Sequence, residues 1–485
     1  MLFSSMSFLV LFLPVTLAGY FLLPKVLKNL WLLAVSMIFY AWGEPEFVVI
    51  MAACIAMNYG FGLAADKFRD NKYGGRIVLI LMTFCNLGIL GYYKYMNFFV
   101  ENVNRLAGKE VLAPTAIALP IGISFFTFQA MSYVIDVYRK NGNVQKNILN
   151  VGLYIAFFPQ LIAGPIVRYE TFSAQIKDHP VRASGFQAGV HRFLYGFIKK
   201  VLIANTMAVI ADYIFTLPAA GELTVGAAWL GAVSYTFQIY FDFSAYSDMA
   251  IGLGRMLGFS FPENFCYPYM ADSVTDFWRR WHISLSSWFR DYVYIPLVGS
   301  RVDSRWKLVR NLFAVWFLTG VWHGAAWTFV CWGIFYFVLL TLEKLFGLPQ
   351  KAKQYKVQGL YRLLTLLFVM FGWVLFRSES LGEAVLYLKT MLGLTSAAPK
   401  VSWTLYYLWE YRWYFLGAAL ASTPLVGRLL QWADRENIPQ GEENPRGLTG
   451  ELARLVVHGG VFFLFLLAVS ELVMGAHNPF IYFNF

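Results

Sequence analysis

A histidine stands at the centre of an uncharged stretch. His323 lies in Thr319-Gly320-Val321-Trp322-His323-Gly324-Ala325-Ala326-Trp327, and the 32 residues from Asn311 to Leu342 contain no Asp, Glu, Lys or Arg. Ionisable groups are costly in a membrane interior and usually face a cavity or a partner. Desolvation keeps an imidazole neutral, and a neutral imidazole accepts a proton, as a general base must. The small residues at 320, 324, 325 and 326 let a substrate or a second helix approach the backbone. The competing structural reading is a histidine that bonds a neighbouring helix, or an interfacial His-Trp pair.

A second histidine sits in Asp276-Phe277-Trp278-Arg279-Arg280-Trp281-His282-Ile283-Ser284-Leu285-Ser286-Ser287-Trp288-Phe289-Arg290-Asp291-Tyr292. Three tryptophans and three arginines interleave with polar residues, the composition of an amphipathic helix at the membrane interface, where rings are half buried and guanidinium groups snorkel. The sharper reading makes His282 a second polar residue of the site. It also lets Arg279, Arg280 and Arg290 contact phosphates of a donor, since guanidinium geometry suits phosphate oxygens.

Two further stretches attract notice. Asp242 and Asp248 lie six residues apart in Phe241-Asp242-Phe243-Ser244-Ala245-Tyr246-Ser247-Asp248. Buried carboxylates usually form ion pairs, and that reading is preferred here to a catalytic pair. Pro159-Gln160-Leu161-Ile162-Ala163-Gly164-Pro165-Ile166-Val167-Arg168 breaks an apolar run with prolines and a glycine. Irregular backbone at membrane depth must be protein-buried or line a cavity, so this is a re-entrant element, or more simply a kinked helix. His179, His191, His458 and His477 flank polar loops or helix ends and read as interfacial or solvated. The chain has no Gly-rich phosphate loop, no His-Glu-x-x-His and no Gly-x-Ser-x-Gly, which argues against an ATP-driven pump and an ordinary serine hydrolase. Cys54, Cys85, Cys266 and Cys331 are widely spaced in or beside apolar segments and define neither a metal site nor a disulfide framework.

The elements that must position these residues are membrane helices. Of 485 residues, 58% are hydrophobic and 14% charged, against about 25% charged in a soluble domain. Apolar runs recur from residue 7 to residue 474, and they predict an all-α polytopic bundle of about 11 crossings with re-entrant or interfacial helices. A straight helix over 311–342 would be about 48 Å long, more than one bilayer core, so it must tilt, bend or break, with Gly320 and Gly324 bracketing the break. The basic loop 347–358 and the mixed-charge loop 427–454 are expected to be solvated connections within a single domain spanning 1–485.

The net charge of +11 fits the excess of Lys and Arg in cytoplasmic loops and calls for no nucleic-acid partner. Lys25 and Lys28 follow the first apolar run, which has no positive flank before it, so the segment reads as a span rather than a cleaved signal, with the N-terminus extracytoplasmic. Lys67, Arg69, Lys72 and Arg76 place the next polar loop inside, Glu44 and Glu46 mark an outside turn, and Arg139, Lys140 and Lys146 are inside. Beyond residue 165 charge alone does not fix the parity.

Together these residues resemble the membrane-bound O-acyltransferase family, and within it the branch that O-acetylates bacterial polysaccharides such as alginate. The resemblance rests on Leu119-Pro120-Ile121-Gly122-Ile123-Ser124-Phe125-Phe126-Thr127-Phe128-Gln129, on Pro159–Arg168, on Phe241–Asp248, and on Phe261-Pro262-Glu263-Asn264-Phe265. It continues through Asp276–Tyr292, Trp322-His323-Gly324 and Asn478-Pro479-Phe480-Ile481-Tyr482-Phe483. It is strongest over about 115–345. The loop Pro296–Arg301 and Cys266 depart from the pattern of relatives.

The resemblance implies a ring of helices around a thinned centre with a tunnel joining the two membrane faces. It implies that His323 is the essential catalytic residue and that His282 is functionally important. The implied donor is a cytoplasmic acyl thioester such as acetyl-CoA, with no tightly bound cofactor. The implied partners are membrane lipid, an extracytoplasmic hydrolase-like protein of the Gly-Asp-Ser-Leu (SGNH) type and a polysaccharide acceptor, and the implied location is the cell membrane. D-alanyl transfer to teichoic acid from a carrier-protein thioester, lipid or sterol acyl transfer, and non-enzymatic export of an acylated species stay open as alternatives, as does a covalent acyl-histidine intermediate.

Overall fold

The computed structural model describes residues 1–298, 304–395, 404–434, 448–475 and 477–481. The loop 299–303, residues 435–447 of the connection 427–454 and the last residues of the C-terminal motif lie outside them; the two ends of that connection belong to the helices Pro424–Asp434 and Leu448–Val473 rather than to a loop. The described chain is helical, with no strand among the described residues. Seven helices are long and apolar enough to cross a membrane: Lys25–Gly43, Pro45–Phe68, Lys72–Ala107, Ala183–Ala220, Trp327–Phe346, Gln358–Arg377 and Glu451–Val473. The protein is a multi-pass membrane protein.

This count is below the expected 11 or so, and two long helices show one reason. Val225–Met256 carries Gln238, Asp242 and Asp248, and Arg305–His323 carries Lys307, Arg310, Asn311 and His323. Val225–Met256 is buried on nearly every face from Ala228 to Met256. A helix surrounded by protein can keep polar side chains that lipid would not tolerate, so apolarity marks the lipid-facing helices and passes over the central ones.

The helix ends are set locally. Asn71 caps Lys72–Ala107 by accepting from the Tyr73 and Gly74 amides, both at 3.1 Å, and Gly108 stops it in the left-handed region at φ +64°. Thr224 and Ser304 cap Val225–Met256 and Arg305–His323 through the amides of Ala227 and Lys307. Contacts between helix ends place the first polar turns. The turn after Val48–Phe68 meets the end of Ile123–Tyr138 through the Asp70–Lys140 pair at 2.8 Å. At the opposite ends, the Glu44 carboxylate accepts from the Ile121 amide at 2.9 Å. The polar loops at 66–72 and 139–140 therefore share one face, and Glu44 sits on the other.

The long uncharged stretch does break. Arg305–His323 ends, Gly324 and Ala326 are extended, and Trp327–Phe346 runs back alongside. Gly324 is at the break, whereas Gly320 lies inside the first helix and serves its packing. A Cβ on Gly320 would stand 2.5 Å from the Phe329 carbonyl oxygen, and one on Gly333 would stand 2.4 Å from that of Trp316. The re-entrant reading of Pro159–Arg168 also agrees with the fold. After Ile148–Ala156 the chain turns through the four-residue helix Phe158–Leu161, and every residue from Val151 to Val167 is buried. Its freed amides are satisfied, Phe158 by the Ser36 hydroxyl at 3.1 Å and Ile166 by the Ser284 hydroxyl at 3.0 Å.

The interfacial reading of residues 276–292 is corrected. The segment is broken into Val274–Arg280, Ile283–Trp288 and a wider turn Phe289–Tyr294. Trp278, Trp281 and Trp288 are buried in protein rather than half exposed at a membrane surface. The break falls at His282, whose backbone is left-handed at φ +45°, and this aims the following turn inward.

Candidate active site

His282 is 2% exposed, and its surroundings define its tautomer. The Asn264 side-chain oxygen accepts from the Ser284 amide at 3.2 Å and from the Ser284 hydroxyl at 2.9 Å, while the Asn264 nitrogen donates to the Ser247 hydroxyl at 3.0 Å. The same Asn264 oxygen lies 3.1 Å from His282 Nδ1. Since that atom is an acceptor, Nδ1 carries the proton and donates, which leaves Nε2 with a lone pair. Nε2 is buried and has no protein partner among the described residues. The Asn264 carbonyl oxygen also accepts from the Ile283 amide at 3.0 Å, so one asparagine holds the strained turn on both sides of the ring.

His323 occupies the last position of its helix and is 7% exposed. Its ring is enclosed by Trp322, Trp332 and Phe376, with centroids at 4.9, 5.0 and 5.2 Å. These rings come from three helices, so the imidazole is fixed by packing. The two histidines belong to one cluster. The Trp322 ring lies 6.3 Å from that of His282 and in contact with His323, and Phe125 touches both His282 (6.2 Å) and Trp322 (5.5 Å). His323 and Trp322 line a small cavity with Lys94, Ser124 and the loop Leu119–Ile123, on the side of the molecule where Ile121 meets Glu44.

The carboxylates lie apart from this cluster in ion pairs, as the structural reading expected. Asp242 pairs with Lys200 at 2.6 Å, both side chains 3% exposed. Asp248 pairs with Lys199 and with Arg192, the latter at 2.5 Å, and Arg192 reaches Glu263 at 2.6 Å.

The three arginines are not brought together. Arg279 is exposed. Arg280 is held by Asp276 at 2.9 Å, one helical turn away. Arg290 is bound at two nitrogens by Asp291, which also pairs with Arg168 at 2.5 Å. Burial raises the Asp291 carboxyl, but Arg290 and Arg168 outweigh it and hold the group below its usual range, so the aspartate stays charged and neutralises part of this patch. Of the other histidines, His179 is tied to Tyr20 at 2.7 Å and Asn29 at 2.9 Å, and His477 pairs with Asp212 at 3.1 Å.

Two residues of the cluster went unrecognised in the sequence. Asn264 stood in a matched motif without a role. Lys94 was given no role either. The signal available for it was its isolation, since no other charged residue lies between Arg76 and Glu101.

The chain is a helical membrane bundle with two buried histidines, each at a helix break, and its relatives make it an acyltransferase. The chain belongs to the membrane-bound O-acyltransferase family, whose sequence model matches residues 137–382. It is 39% identical over 511 aligned residues, covering 100% of both chains, to a protein of Azotobacter vinelandii named "Probable alginate O-acetylase". A peptidoglycan O-acetyltransferase of Helicobacter pylori is 36% identical over 82% of this chain and 81% of its own. A teichoic acid D-alanyltransferase of Bacillus subtilis is 32% identical over 53% of this chain and 69% of its own.

Proposed function

We propose that this acyltransferase moves an acetyl group from a cytoplasmic thioester, acetyl-CoA, to the outer side of the membrane for O-acetylation of an extracytoplasmic polysaccharide such as alginate. The observation that carries the reading is the packing of His282 and His323 against the Trp322 ring, with His323 lining a cavity. The names of the relatives support acetyl as the group and a polymer as its destination. The immediate acceptor is a hydroxyl on a partner of the hydrolase-like Gly-Asp-Ser-Leu type, which passes the acetyl group on. The face with the 66–72 and 139–140 loops is cytoplasmic by the positive-inside rule, and the N-terminus and cavity lie towards the outside. This reading requires a path through the bundle centre between the two sides.

In the proposed reaction the acceptor oxygen attacks the thioester carbonyl carbon while its proton passes to His323. The C–O bond forms, the C–S bond breaks, and the departing thiolate takes the proton back. With Nδ1 donating to Asn264, His282 offers a lone pair at Nε2, which suits orienting a hydroxyl better than donating to an oxyanion. Among the arginines, Arg279 has no ion pair among the described residues and is the candidate contact for donor phosphates.

The test is His323→Ala in the native host, with insertion checked by membrane quantification and elution as a single species. Mass spectrometry of the envelope polymers is expected to show acetyl esters reduced by about 100-fold or more, the scale of lost general-base catalysis. Unchanged esterification overturns the assignment of His323. Loss of D-alanyl esters in place of acetyl esters replaces acetylation with D-alanyl transfer.

A further inference from the structure

The helix Lys72–Ala107 carries an amine into the interior at Lys94, 8% exposed. Its Nζ donates to the carbonyl oxygens of Trp322 at 2.6 Å and His323 at 3.1 Å, and to the Ser124 hydroxyl at 3.3 Å. The next residue, Tyr95, donates its hydroxyl to the Val321 carbonyl. Three consecutive carbonyls at the end of Arg305–His323 are thus taken by two consecutive residues of a helix more than 200 positions earlier. The last carbonyls of any helix lack intrahelical donors. Here the chain leaves at once into extended backbone at Gly324, so the cap comes from outside.

No carboxylate pairs with Lys94 among the described residues. Its nitrogen faces the two carbonyls, the hydroxyl and, at 5.8 Å, the Trp322 ring. Its hydrogen bonds engage it fully, which suits holding rather than attacking. The lysine also lines the cavity that His323 faces. Lys94 precedes the stretch matched by the family's sequence model.

We propose that Lys94 is a positioning residue for acyl transfer: by donating to the Trp322 and His323 carbonyls it fixes the backbone of His323 against the cavity. This rests on the assignment of proton transfer to His323. A backbone held in place keeps the His323 imidazole in reach of the proton it takes, which serves the chemical step rather than donor binding. Loss of Lys94 is therefore read in kcat before KM.

The experiment uses the full-length protein in isolated membranes, supplied with radiolabelled acetyl-CoA and the native acceptor fraction, with Lys94→Met, Lys94→Arg and His323→Ala compared at matched folded amounts. Lys94→Met is expected to lower kcat by about 10- to 100-fold, the scale of a misplaced catalytic group, with KM little changed. Lys94→Arg, which keeps the donors, is expected to recover part of that loss. Wild-type kcat in Lys94→Met, or Lys94→Arg no better than Lys94→Met, overturns the proposal. If Lys94→Met does not accumulate, Lys94→Gln takes its place, and wild-type kcat there overturns the proposal equally. Activity retained in His323→Ala instead overturns the reading on which the proposal rests, whatever the lysine variants show.

Discussion

At the scale of single residues, the site depends on atoms that touch the two rings without being histidine. Asn264 is the clearest case: its oxygen and nitrogen bind Ser284, His282 and Ser247, and its carbonyl binds Ile283. It thereby holds a non-glycine residue in the left-handed region, a conformation costing about 1–3 kcal/mol that persists only when its surroundings enforce it. Asn264→Ala removes the acceptor for His282 Nδ1–H and frees the ring to change tautomer and tilt. The expected outcome is a loss of about 1–3 kcal/mol, typical of buried groups left without partners, seen as a lower unfolding temperature in detergent. Acyl transfer is expected to fall further than the folded fraction does. Full specific activity in this variant would separate Asn264 from the chemistry.

Elements place the histidines by how they end. Arg305–His323 and Trp327–Phe346 form an antiparallel hairpin whose seam is Gly320 against Gly333. A side chain at either position meets backbone, which cannot rotate away. Gly333→Leu is expected to wedge the hairpin apart and cost about 3 kcal/mol, the upper end for overpacking. Its readout is protease sensitivity of the membrane-inserted protein and loss of the single elution peak. The same contact recurs between Ala183–Ile198 and Val225–Met256, where a Cβ on Gly189 would stand 2.7 Å from the Gly252 carbonyl oxygen. Small residues let helix backbones approach closely where lipid gives no hydrophobic drive to associate.

Over the whole molecule, one buried network ties both chain ends to the central helix. Lys200 pairs with Asp242 and donates to Asn205 at 2.8 Å and to the Pro479 carbonyl. Asp242 accepts from the Ile481 amide at 2.8 Å, and Asn478 bonds both Asn205 at 3.1 Å and the Ser4 carbonyl at 2.8 Å. The C-terminal Asn-Pro-Phe-Ile motif is thus a clasp. Lys200→Met leaves Asp242 buried and unpaired, and is expected to destabilise by about 3–5 kcal/mol. The double variant Lys200→Met with Asp242→Asn is expected to regain much of that, as measured by thermal unfolding of both purified proteins. If the double variant is no more stable than the single, the cost does not come from an uncompensated charge.

How much was legible follows from the range of the interactions. Hydropathy, charge asymmetry and caps act within one segment, so the sequence by itself determined the helical membrane class and marked 311–342 as too long for one straight span and 159–168 as irregular. The motifs around His282 and His323 marked both rings. Only the tertiary structure decided that the tryptophans of 278–288 are interior and that Asn264 sets the tautomer of His282. It also decided that Lys94 caps the helix carrying His323. The reason is distance along the chain: 228 residues separate Lys94 from Trp322, and no local pattern records which helix end a distant side chain will reach.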